Sequence, residues 1–426
     1  MAESSVGQAA GLDGHGPRSF APFSCQAPSQ PQAATCSILA TAHSTQEVAA
    51  TPGLALRSGE EPPTLPCACE LQELGACLSR VPHSMMDGVP LICDYGSGFS
   101  KVGFAGMEAP RGVFPTVLGK LRHDNVLVGM EEEDWFIGDE AQSRRGKLIL
   151  QHPVSRAAIT SWDSMEKIWH HSFYQVLRVA PEQHPVMVTE PPLNTTSSKE
   201  KATQILFETF SVPALYLANQ GVLSLYASGQ TSGMTIESGD GMTYFVPIID
   251  GCPLHQSTFQ LDIAGQDLSL YLLQLLTDSG HFLVSTADQE YIRDMKEKCC
   301  YVALDFDKEK MKTNSPYSQQ KYQLPDGQEI HLGQESFFCP EALFQTNLIG
   351  RNTLGVHMTT FQSISSCNPA LWNVLFGHIL LSGGTGSCSG LRSRMQREIS
   401  GLVSPTINVK RALTLAAMPL APCGAL

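Results

Sequence analysis

The chain has 426 residues, 42% of them apolar, and carries 28 basic against 41 acidic side chains, a net charge of -13. That length accommodates two lobes of roughly 150–200 residues each rather than one ordinary domain. The acidic balance excludes the clustered basic surface that nucleic acid or an anionic membrane selects, and no stretch approaches the roughly 20 apolar residues of a membrane helix.

Residues 1–87 are rich in Ala, Ser, Gln, Gly and Pro, and the run from Glu60 to Pro66 breaks any helix. Such a composition buries too little apolar surface to offset its ordering entropy, so the segment reads as a disordered extension with one short helix over Glu70–Leu78. Met1 to Ala10 lacks the basic start and apolar run of a secretory signal. The 13 cysteines are scattered, odd in number and without CxxC spacing. Most of them read as small buried hydrophobes in a reducing, intracellular compartment.

Order begins at Val89. Pro90 to Asp94 is a short apolar run closed by a carboxylate, Tyr95-Gly96-Ser97-Gly98 is a turn, and Ser100 to Gly106 a returning strand. This predicts a β-hairpin with a Gly-rich tip. Ser164 to Leu177 behind Asp163 as N-cap, then Lys199–Phe210 and Gly221–Ser228, predict helices. A second hairpin follows, with strand Gly233–Ile236, tip Glu237-Ser238-Gly239-Asp240-Gly241 and strand Met242–Ile249. Leu268–Thr277 and Asp288–Cys300 predict two more helices, and Val374–Leu380 a strand leading into Ser382-Gly383-Gly384-Thr385. Strands and helices alternate in both halves, the mark of an α/β class, and the two hairpins suggest an internal repeat.

Bare glycines at a strand tip let backbone N–H groups approach phosphate oxygens. A carboxylate at a strand end can hold a water of phosphate-bound Mg²⁺. One such hairpin is equally well a surface turn. Two in equivalent positions suggest jaws around a nucleotide's phosphates, with the third Gly element as a surface for a flat base. The adjacent pair His170-His171 points about 100° apart on a helix and so reads as packing rather than a metal site. Ser224 and Ser382 sit in no nucleophile motif.

At this point a resemblance emerges. Ile92 to Gly98 through Lys101 to Gly106 resembles the first phosphate loop of the actin family, and Trp162 to His171 is similar to an actin helix almost letter for letter. Leu223 to Gly229, Lys296 to Phe306, Cys339 to Gln345 and Leu381 to Thr385 continue the likeness in order, over roughly three quarters of the chain. The resemblance implies an actin-like α/β fold, related to the Hsp70, hexokinase and ribonuclease H class: two lobes, a duplicated mixed-sheet core and a central nucleotide cleft. It divides the chain into an extension (1–87), a first lobe (88–220) with a mobile loop near 121–135, a second lobe with the return to the first (221–410), and a divergent tail (411–426) in place of the final helices.

It further implies a site for ATP with Mg. Asp94, Gly96, Ser97, Gly98 and Lys101 match the first phosphate loop; Glu237, Gly239, Asp240 and Gly241 match the second. Asp94 and Asp240 would hold the metal through water, Gln220 would position the attacking water beside Asp240, Lys296 and Glu297 would face the nucleoside, and Gly383 and Gly384 would floor the pocket. Several positions depart from the family. Glu237 stands where an Asp is usual, Tyr244 where a His helps order water, Tyr95 where an Asn is usual, and Ser387-Cys388 where an aromatic packs by the adenine. A phenol with its ordinary pKa near 10 does not reproduce imidazole chemistry.

The expectation is an actin-like structural or scaffolding protein of the cytoplasm and cytoskeleton, with an ATP cleft and weak or absent hydrolysis. Its expected partners are actin-family or actin-binding proteins, with no nucleic acid and no membrane, and self-polymerisation is doubtful because the terminal filament surface is altered. The alternatives are a polymerising ATPase and a nucleotide-free pseudo-actin interaction module.

Overall fold

The computed structural model describes residues 88–121, 135–281, 283, 286–312, 320–324, 327–407, 409 and 413–414. The extension with its expected Glu70–Leu78 helix, most of the expected mobile loop and residues 415–426 lie outside the described residues.

The first hairpin forms. β1 (Leu91–Tyr95) runs antiparallel to β2 (Phe99–Phe104), which pairs with β3 (Gly112–Pro115). β4 (Leu118–Leu121), β5 (Trp135–Ile137) and β6 (Leu148–Gln151) make a separate small sheet, and β7 (Val154–Ser155) and β8 (Ala158–Ile159) a tight hairpin. β9 (Val186–Glu190) lies parallel to β1, and β10 (Leu215–Asn219) parallel to β9, with the helix Thr196–Glu208 making the crossover that parallel pairing requires. The sheet order is β10-β9-β1-β2-β3.

The second half repeats this arrangement. β11 (Gly233–Ser238) and β12 (Thr243–Ile249) form the hairpin, and β12 carries β13 (Cys252–Pro253) and β14 (Phe259–Leu261). β15 (Gln320–Gln323) and β16 (Glu329–Leu332) form a ribbon of their own. β17 (Ile379–Ser382) lies parallel to β11, and β18 (Leu413–Thr414) parallel to β17, giving β13-β12-β11-β17-β18. The register repeats as well: Leu91 pairs with Val186 as Met234 pairs with Ile379. Two residues of the tail thus supply the edge strand that β10 supplies in the first sheet, which the aperiodic sequence there did not foretell.

Each sheet has its own core. Leu91, Trp169, Phe173 and Leu206 anchor one cluster; Phe245, Leu272, Met295, Phe376 and Ile399 anchor the other. Within the second, Arg394 makes a two-pronged ion pair (3.0 and 3.1 Å) with fully buried Glu341 and donates to Ala303 O, so the charges go into the core already paired.

Three local readings are corrected. The helix from Trp162 is capped by Ser161, whose extended backbone frees its oxygen to accept from Ser164 N; Asp163 is already inside the first turn. From His171 to Leu177 that helix continues in π geometry. The apolar run at 374–380 is not one strand: Trp372–Gly377 is a short helix burying Leu375 and Phe376, and the strand starts at Ile379. A short apolar run does not distinguish the two by periodicity. Cys93, Cys299, Cys300, Cys339 and Cys367 are buried free thiols, as expected of most of the cysteines, and Cys252 is disulfide-bonded.

Candidate functional site

The two hairpin tips meet. A side-chain carbon added at Gly98 would lie 3.1 Å from Asp240 Cβ, and one at Gly241 would lie 2.5 Å from Ser97 Oγ, so the approach depends on glycine at both positions. Around the tips opens a cavity of about 1050 Å³. Its wall includes Asp94, Gly96, Ser97, Gly98 and Lys101 from the first hairpin, and Glu237, Gly239, Asp240, Gly241 and Tyr244 from the second. Gln220, Lys296, Glu297, Gly383 and Gly384 complete the set named from sequence, and none of that set falls elsewhere.

The first jaw is a satisfied polar network. Asp94 Oδ1 accepts from Thr189 Oγ1 (2.6 Å) and Gln220 Nε2 (3.2 Å), and Oδ2 accepts from Lys101 Nζ (3.0 Å). Asp94 and Lys101 are cross-strand partners, so the hairpin register itself makes the ion pair. Asn219 caps the helix Gln220–Ala227 by accepting from the Gly221 and Val222 amides, which sets Gln220 at the helix start. Sequence reasoning did not single out Thr189. Its signal is a hydroxyl near the C-terminal end of a parallel strand, where such sheets present their sites.

The second jaw is built alike but charged differently. Glu237 faces Tyr244 across the hairpin, as Asp94 faces Lys101. Burial pushes the Glu237 carboxyl up to about 7; nearby Asp94 adds to the rise, while the Ser224 and Ser382 hydroxyls and Lys101 oppose it. Its Oε1 is buried with no hydrogen-bond partner among the described residues. Burial, with Asp262 adding, pushes the Tyr244 phenol up to about 12, so it stays protonated. Ser224 Oγ donates to Ser382 Oγ (3.3 Å), and both hydroxyls flank the Glu237 carboxyl.

At the far end, Lys296 Nζ donates to Gly265 O (2.7 Å) and Ser269 Oγ (3.0 Å), bracing the helix Gly265–Asp278 while lining the cavity. Gly383 has φ +83°, and a side chain there would strike Ser238 O at 2.2 Å; Gly384 faces open space. Thr385 Oγ1 donates to Gly239 O (2.7 Å), tying this turn to the second tip, a contact that sequence reasoning missed. Ser387 and Cys388 also line this end.

The jaws are also bridged by a residue outside every motif. Arg156, in the β7–β8 turn, reaches Asp267, Gly241 O and Asp262 O. The histidine pair packs as expected: His170 lies against Tyr174 and His171 against Phe114. Among the described residues no cluster of His, Cys, Asp and Glu is arranged to hold a metal directly, and no helix is long and apolar enough to cross a membrane.

A five-stranded and a six-stranded sheet that share one strand order, each presenting a Gly-rich hairpin to a shared central cleft, define a two-lobed α/β class. A family model for actin matches residues 87–417. The chain belongs to the actin family.

Proposed function

We propose that the cleft holds ATP with Mg²⁺ and that the protein serves as a structural or scaffolding member of the actin family, with weak or absent hydrolysis. The observation that carries this reading is the convergence of both hairpins, Gln220, Lys296, Glu297 and the Gly383-Gly384 turn on one cavity. The residues fit the ligand. Bare glycine backbone stands at both tips, Lys101 offers an ammonium group, and Asp94 and Asp240 offer carboxylates on opposite sides for the waters of a cation. The open space at Gly384 suits a flat ring. When bound, the Mg-nucleotide would supply a cleavable phosphoanhydride and the cation that neutralises it.

Slow turnover is supported by the groups nearest the expected water. The Gln220 amide is engaged by Asp94 and Thr189 (3.2 and 3.4 Å), and Tyr244, held protonated, accepts no proton at neutral pH. Partners would then be actin-family or actin-binding proteins in the cytoplasmic cytoskeleton. Isothermal titration of the folded full chain with MgATP is expected to give submicromolar affinity. No detectable binding in protein with a cooperative melt overturns the nucleotide reading. Phosphate release at an actin-like rate on adding salt and Mg²⁺ overturns the slow-turnover part.

A further inference from the structure

β7 and β8 pair as Val154 with Ile159 and Ser155 with Ala158, leaving Arg156-Ala157 as a two-residue turn. Both residues have positive φ, 47° and 60°. Such turns favour Asn-Gly, because a side chain at either position raises the backbone energy. A strained turn persists only where its surroundings hold it, and here they belong to both jaws. The Arg156 guanidinium donates to both Asp267 oxygens (2.7 and 3.1 Å), to Gly241 O (3.2 Å) and to Asp262 O (3.3 Å). Ala157 N donates to Ser97 Oγ (3.0 Å) in the first tip, and the Ala157 side chain packs on the second-lobe cluster of Met242 and Tyr244. Asp267 is itself fixed, with its side chain 9% exposed and accepting from Ala264 N (3.0 Å) at the start of the helix Gly265–Asp278.

We propose that the Arg156-Ala157 turn is a latch that holds the two tips together without any ligand, with Arg156 as the positioning residue, so that a ligand leaves the cleft only when the Arg156–Asp267 pair opens. The planar fork of Arg matches the carboxylate at two points through charge-assisted bonds, a stronger polar tie than a single neutral hydrogen bond. Among the described residues, single contacts also cross the cleft, with Arg293 over the Phe99 ring (4.7 Å) and Gln142 donating to Glu290 (3.3 Å). Cleft closure is thereby a property of the chain. The gating clause rests on the nucleotide reading; the closure clause does not.

The test measures hydrogen–deuterium exchange of segments 154–160 and 239–243 in the full chain without nucleotide, and separately the dissociation of methylanthraniloyl-ATP with Mg²⁺. Arg156→Gln is expected to speed both by about 10- to 100-fold, and Arg156→Lys to restore part of the difference. Exchange of the distant segment 356–366 should stay unchanged, which a general loss of stability would not allow. If Arg156→Gln does not fold, Asp267→Asn, which keeps an acceptor for Ala264 N, makes the same measurement. Tip exchange within about twofold of the natural protein in the folded variants overturns the latch. If the fluorescent nucleotide binds none of the proteins, the nucleotide reading falls, and the ligand-free exchange alone decides the latch.

Discussion

The two hairpins share one frame and differ in what they place at equivalent points. In the first, an acid faces a base, Asp94 and Lys101, and the neighbouring parallel strand adds the Thr189 hydroxyl. In the second, an acid faces a phenol, Glu237 and Tyr244, and the neighbouring parallel strand adds Ser382. The Asp94 carboxylate is balanced by an ammonium group and two further donors, whereas Glu237 keeps a buried oxygen without a partner. The backbone was duplicated faithfully, down to the bond from the first tip glycine to the residue three on (Gly96 N to Phe99 O, 3.0 Å; Gly239 N to Met242 O, 3.2 Å). Backbone hydrogen bonding tolerates many side chains, and charge balance does not. Divergence between the jaws is therefore electrostatic.

The largest expected effect comes from removing that imbalance. The folded pKa of Glu237, about 7, lies above the ordinary value of 4.5, so the folded state holds this proton more tightly than the unfolded chain. The stability it contributes is fully present below the ordinary value, declines as pH rises towards 7 and is gone above it. Glu237→Gln imitates the neutral form at every pH. It is expected to match the natural protein near pH 4 and to exceed it near pH 8 by at most about 3 kcal/mol. Denaturant melts of both proteins across that range check it; a stability difference that does not change with pH would mean that Glu237 is not pressed into the neutral form.

The same kind of substitution in the first jaw should act in the opposite direction. Asp94→Asn removes the charge that Lys101, Thr189 and Gln220 are arranged around and leaves the Lys101 ammonium facing an amide. A loss of about 2 kcal/mol is expected, as for hydrogen bonds to a charged group. A stabilised Asp94→Asn variant would erase the contrast between the jaws.

Much of this architecture was legible in the sequence because its signals are local. Two apolar runs closed by a carboxylate and a Gly/Ser tip announce the hairpins, and the flanking likeness to actin carries Lys296 and Gly383 to the same cavity. What escaped is what only packing decides. Thr189 is one strand hydroxyl among many until β9 is set beside β1. The Arg156-Ala157 turn carries no Asn-Gly signature, since its conformation is imposed by Asp267, Ser97 and Gly241. The strand at Leu413–Thr414 is two residues long and is recognisable only by its pairing with β17.

The smallest expected effect separates the tips themselves. A methyl group at Gly98 would meet the Asp240 side chain at 3.1–3.3 Å, where rotation moves Cγ and Oδ2 aside and Cβ at 3.1 Å has to give by only a few tenths of an ångström. A methyl group at Gly241 would meet Ser97 Oγ at 2.5 Å and the Arg156 backbone at 3.0 Å, and the latter is held by the strained turn. Gly241→Ala should therefore cost about 2 kcal/mol and Gly98→Ala about 1, within the range for overpacking. The difference should shrink in an Ala157→Gly background, where the turn relaxes and its backbone can yield. Equal costs for the two substitutions in both backgrounds would show that the β7–β8 turn does not press on the second tip, and that the two jaws differ in charge alone.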